Sequence, residues 1–176
     1  MRKTSRMIYM GLLVSQALVL YLVESMIPVP FITPGAKLGL ANLVTVIALY
    51  TLDNNKDVFL IVCMRLLLST MVGGNLSSLM YSATGAILSY IVMVFFKKIG
   101  KDKLSIIGVS AAGAVFHNIG QLLMASIVVK NIAIMLYLPV LSIAGIGTGI
   151  FIGITANHIV KHMSTIVYFK KSHAKG

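Results

Sequence analysis

Arg65 stands inside an apolar stretch, with Val58 to Met64 before it and Leu66 to Val72 after it broken only by Ser69 and Thr70. A guanidinium in hydrocarbon surroundings costs several kcal/mol unless it meets a partner or a polar cavity. Arg65 therefore either binds an anionic group or forms a structural tie to backbone carbonyls or to Glu24. A second polar group is His117, Asn118 and Gln121, again in apolar surroundings. His117 and Gln121 are four residues apart and Asn118 precedes Gln121 by three, which gathers the three side chains on one side of a helix. Such a set lines a ligand site or hydrogen-bonds neighbouring helices. Asn42 is a weaker case of the same kind, and Asn75 reads as a helix cap.

Other patterns close off chemistry. Asp53, Asp57 and Asp102 are isolated, so no aspartate cluster is present that could hold a magnesium diphosphate, and the chain is expected not to be an enzyme. His158 and His162 have helical spacing but no third ligand nearby, and Cys63 is the single cysteine, so neither a metal centre nor a disulfide is expected. The run Gly145-Ile-Gly-Thr-Gly149 lacks the third glycine of a dinucleotide loop and no strand precedes it. Gly145, Gly149 and Gly153 instead recur every four residues, the pattern of a close helix-packing seam. No phosphate loop of the G-x-x-x-x-G-K-[ST] type occurs, so any uphill transport would draw its energy from a partner or an ion. No cofactor is implied.

The elements that must position these residues follow from composition. Hydrophobic residues make up 58% of the 176 and charged ones 11%, too few charges to cover a water-soluble globule of this size. A mean hydropathy of +0.96 points to lipid as the solvent. Cutting the chain at its charges gives six apolar spans, at Met7–Val23, Leu38–Leu52, Val58–Val72, Leu76–Phe96, Leu104–Val129 and Asn131–Val160. The second is short, and Lys37 before it is placed to snorkel to the interface. Pro28, Pro30 and Pro34 break the connection ahead of it, and Pro139 either kinks the last span or separates a short piece from it. The division is one transmembrane domain over 1–166 and a basic tail over 167–176 that is expected to be disordered.

Net charge is +11, which in a polar chain would suggest nucleic acid. On the span map, however, twelve of the fifteen Lys and Arg share the side of both termini, while Lys37 and Lys130 lie opposite and Arg65 lies within a span. The positive-inside rule then places both termini in the cytoplasm, giving an all-α, six-helix protein of the cell membrane with no nucleic-acid role.

The run Ile27-Pro-Val-Pro-Phe-Ile-Thr-Pro-Gly-Ala-Lys-Leu-Gly-Leu-Ala-Asn42 resembles the hallmark segment of the Gx transporter family, also known as heptaprenyl diphosphate synthase component I. Gly113-Ala-Val-Phe-His-Asn-Ile-Gly-Gln-Leu-Leu123 and the mid-span Arg65 resemble that family as well, so the likeness covers about residues 7 to 163. The family is similar to the substrate-binding S components of energy-coupling-factor transporters. The resemblance implies a six-helix bundle that captures a vitamin-like solute from outside, partnered by a transmembrane T component and two cytoplasmic ATPases. It also implies that the first helix docks the T component through an Ala-x-x-x-Ala pair, where this chain has Gly11 and Ser15. On this reading Lys37, Asn42, Arg65, His117, Asn118 and Gln121 are the candidate solute contacts, and two basic groups suit an anionic solute, with a flavin or a prenyl or quinone precursor admissible. The alternative is a non-catalytic membrane subunit associated with heptaprenyl diphosphate synthesis or a flavin or quinone electron-transfer complex. A channel is disfavoured, since no repeated polar face lines a continuous pore.

Overall fold

The computed structural model describes residues 3–26, 39–73, 76–100 and 104–165, and among these the only regular structure is helical. The elements are α1 (Lys3–Met26), α2 (Asn42–Thr51), α3 (Asn55–Gly73), α4 (Leu76–Gly100), α5 (Ile106–Val129) and, after a 3₁₀ helix over Ile132–Tyr137, α6 (Leu138–Thr165). Lys37, the prolines at 28, 30 and 34, Asn75 and the tail 167–176 lie outside the described residues. α1, α4, α5 and the stretch Ile132–Thr165 are long and apolar enough to cross a membrane, which marks the chain as a multi-pass membrane protein. α3 has the length, at 19 residues, but carries Lys56, Asp57 and Arg65.

The second element departs most from the expected span. The run Leu38–Leu52 carries no charged residue, yet the helix occupies only ten residues. At 1.5 Å per residue that is about 15 Å, half of a hydrocarbon layer of roughly 30 Å. Gly39 is the reason it starts late. Its φ of +85° turns the backbone into the left-handed region, and its carbonyl accepts the Asn42 N–H at 2.8 Å, so the first helical turn forms only there. Eight of the ten residues are buried, because α2 runs through the middle of the bundle and touches all five other helices. A helix that is apolar all round is what such a place requires.

α5 is the other organising element, packed most extensively on α6 and on α4. Ser105 caps its start by accepting the Gly108 N–H at 3.1 Å, and Lys130 in the left-handed region ends it. Pro139 separates the 3₁₀ helix from α6 by falling in the first turn of α6, where its missing N–H has no partner to lose. The seam of Gly145, Gly149 and Gly153 faces α5: a Cβ would come within 2.7 Å of Asn118 Nδ2 at Gly145, and within 2.6 Å of the Cα of Ala111 at Gly149 and of Ile107 at Gly153. α4 approaches α5 as closely, since a Cβ at Gly85 would lie 2.8 Å from the His117 carbonyl oxygen and one at Gly120 2.8 Å from the Gly85 Cα. The lipid side of the bundle is apolar, as α1 shows: it buries Leu13, Ala17 and Glu24 and exposes Met7, Ile8, Leu12, Val19 and Val23.

Polar contacts collect at one end of the bundle. Arg6 Nη2 donates to Asp57 Oδ1 at 2.8 Å, the Tyr9 and Thr51 hydroxyls share a hydrogen bond at 2.9 Å, and the Tyr9 hydroxyl reaches Met163 Sδ at 3.7 Å. Lys97 Nζ donates to the Leu49 carbonyl and sits 4.9 Å from the centre of the Tyr50 ring. These contacts place the starts of α1 and α3 with the ends of α2, α4 and α6, so consecutive helices alternate in direction.

Gly149→Val should lower the thermal midpoint in detergent, followed by circular dichroism, because the new side chain meets backbone that cannot yield, a strain worth about 1–3 kcal/mol. Gly147→Ala, with nothing within 4 Å of its Cβ position, should leave the midpoint unchanged or slightly raised.

Candidate functional site

The buried positions of α3 are Asp57, Val58, Ile61, Val62, Arg65, Leu66 and Ser69, one continuous stripe at helical spacing. Arg65 belongs to that stripe, so the chain aims its guanidinium inward, and it is 7% exposed. Directly in its path is the start of α2. Arg65 Nη2 donates to Asn42 Oδ1 at 3.0 Å, a bond between two buried side chains. Glu24, 3% exposed and near the end of α1, lies close enough to attract the guanidinium. Its Oε1 also accepts the Gly39 N–H at 2.5 Å, which ties α1 to the turn ahead of α2.

His117 completes the group from α5. A Cβ at Gly39 would lie 2.9 Å from Asn42 Nδ2 and 3.2 Å from His117 Cδ2, so the glycine fits between these two side chains and nothing larger would. Gln121 Nε2 and His117 Nε2 are 2.9 Å apart. With the amide as donor the ring accepts at Nε2 and carries its proton on Nδ1, which faces α4, where a Cβ at Gly85 would come within 2.9 Å.

Between these residues is a cavity of about 30 Å³, lined among others by Tyr21, Glu24, Gly39, Arg65, Ser69 and His117. At roughly 10–15 Å³ per water it has room for about two. Among the described residues, Arg65 Nε and Asn42 Nδ2 are buried donors without a hydrogen-bond partner. A buried donor left unmade costs about 1–3 kcal/mol, so the place calls for an acceptor.

The structure thus brings together Asn42, Arg65 and His117, with Gln121 holding the His117 ring. Asn118 goes elsewhere: its Nδ2 donates to the Leu141 carbonyl at 2.7 Å and fastens α5 to α6. Gly11 and Ser15 are exposed on α1, away from the cavity, with nothing within 4 Å of a Cβ at Gly11. His158 and His162 are exposed, and no group of three metal-ligating side chains exists among the described residues. Sequence reasoning named Glu24 only as a tie for Arg65 and missed Gly39, Tyr21 and Ser69. Gly39 had a legible signal, a glycine three residues ahead of a polar helix start; Tyr21 and Ser69 had none.

The arrangement is chemically a binding site of donors around one carboxylate. Asp57 is engaged by Arg6 at the far end of α3.

Comparison with known proteins bears on this geometry through one finding. A family model described as heptaprenyl diphosphate synthase component I matches residues 13–159. No curated protein and no solved structure matches the chain. The matched range runs from α1 into α6 and takes in Glu24, Gly39, Asn42, Arg65, His117 and Gln121, so the chain belongs to the heptaprenyl diphosphate synthase component I family.

Proposed function

We propose that the chain is the substrate-binding subunit, the S component, of an energy-coupling-factor-type importer in the cytoplasmic membrane. The observation that carries this reading is a buried guanidinium, Arg65, lining a cavity and leaving its Nε without a hydrogen-bond partner among the described residues. Donors held at that depth select a solute with an anionic or carbonyl acceptor. The cavity admits only the polar end of such a molecule, since whole drug-sized ligands occupy about 300–1,000 Å³. No catalytic role is assigned.

Orientation follows from the end at which the cations lie. Lys3, Arg6, Lys56, Lys97, Lys98 and Lys161 belong to the end of the bundle marked by the Tyr9–Met163 contact, and Lys130 to the other. The positive-inside rule puts the first end in the cytoplasm. Gly11 and Ser15 on the exposed side of α1 offer a T component the close helix approach that small residues permit. Membership of a family described as a synthase component favours a second reading, a non-catalytic membrane partner of a prenyl diphosphate synthase.

Native mass spectrometry of the purified chain should find a retained small molecule, and Arg65→Ala should lose it by at least about tenfold in occupancy, as expected when a charge-assisted bond is removed. In intact cells carrying Cys63→Ser, a membrane-impermeant maleimide should label Lys130→Cys and spare Lys98→Cys; the reverse pattern would invert the topology. Affinity purification should recover a T component with paired ATPases, and Gly11→Leu should diminish that recovery severalfold. Recovery of a soluble prenyl synthase alone would move the assignment to the second reading.

A further inference from the structure

Glu24 is the one acidic side chain in the cavity, and its position is odd for an element that otherwise faces lipid. A carboxylate this deep is costly unless donors meet it. Here they do: the Gly39 N–H at 2.5 Å, with the Arg65 guanidinium attracting it across the same cavity. A backbone N–H turned by a left-handed glycine, a guanidinium and a side-chain amide are the donor types that proteins assemble around carboxylates.

Two observations bear on how a solute could use these donors. The cavity has space for about two waters, which is less than a second carboxylate needs alongside the first. Two carboxylates facing one guanidinium also repel each other strongly in surroundings of low dielectric constant. An anionic group therefore reaches Arg65 by replacing Glu24, and Arg65 Nε, without a partner among the described residues, offers it a bond that Glu24 leaves unmade.

We propose that the Gly39 N–H and Arg65, held by Asn42, form a carboxylate-binding site that the chain's own Glu24 fills, and that a solute carboxylate binds by taking Glu24's place. The solute class is then a small molecule bearing a carboxylate. This rests on the solute-site reading above, and the exchange releases the tie between α1 and the Gly39 turn as the solute enters.

The test is thermal unfolding of the full chain in detergent, with formate as the probe and chloride at equal ionic strength as the control. Glu24→Ala opens a carboxylate-shaped space beside the donors, so its midpoint should rise saturably with formate, by about 5 °C near saturation. The original chain, where formate must first displace Glu24, should respond only at much higher formate, and the double variant Glu24→Ala with Arg65→Ala should lose the rise. Glu24→Gln, which keeps the volume but gives up the charge, should show a smaller rise. Equal response of the original chain, a rise that survives loss of Arg65, or stabilisation by inorganic phosphate but not formate would overturn the proposal. If Glu24→Ala cannot be purified, absence of any formate response in Glu24→Gln overturns it. Should formate fail while the purified chain still retains a small molecule through Arg65, the exchange falls and the solute reading stands.

Discussion

A guanidinium inside an apolar bundle dictates much of what surrounds it. Left alone at that depth Arg65 would cost several kcal/mol, and removing one partner of a buried pair costs about 3–5 kcal/mol. Its neutralisation draws on three separate parts of the chain: Asn42 at the start of α2, Glu24 near the end of α1, and the Gly39 turn that holds Glu24 in place. α2 can meet this need only by stopping short. Had it spanned the layer, its first residues would lie beyond the reach of Arg65 and the interior would hold an unmatched cation.

The glycines set the tolerances of the same arrangement. His117 reaches Gly39 because α5 lies close to α4, and it lies close because Gly85 and Gly120 oppose each other with no Cβ between them. On its other side α5 is pressed to α6 along Gly145, Gly149 and Gly153, where Asn118 adds a hydrogen bond to the Leu141 carbonyl. A helix fixed on two sides gives the His117–Gln121 pair a defined position, which a binding site needs more than it needs strength.

How much of this could be read from the residues depended on whether the signal was local. Arg65 inside an apolar run, the His117 to Gln121 spacing, the four-residue glycine repeat and the break at Pro139 are all visible in a short window, and each has a counterpart in the fold. The length of α2 was not, because a buried half-helix and a membrane span share the same apolar composition and differ only in what surrounds them. Glu24 looked like the end of a span because charge usually marks the interface, yet α1 continues to Met26 and turns the carboxylate inward. For Asn118 the sequence left a ligand contact and a bond to a neighbouring helix open, because the partner it takes is a backbone carbonyl and every residue supplies one. Gly85 and Gly120 lie on two different helices, and their opposition exists only once those helices pack.

The distribution of contacts along α1 suits a helix that responds to the cavity. At its start Arg6 and Tyr9 anchor it to Asp57 and Thr51, and along its middle only Leu13 and Ala17 are buried. At the far end the bond from Gly39 to Glu24 is a polar restraint that a competing acceptor can replace. The proposed exchange gives up that bond at the cavity end while the contacts at the other end remain. α1 is also the helix whose outer side carries Gly11 and Ser15, so occupancy of the cavity and the placement of that side are connected through one rigid element about 36 Å long. The proposed exchange at Glu24 therefore acts on the same helix that carries Gly11 and Ser15.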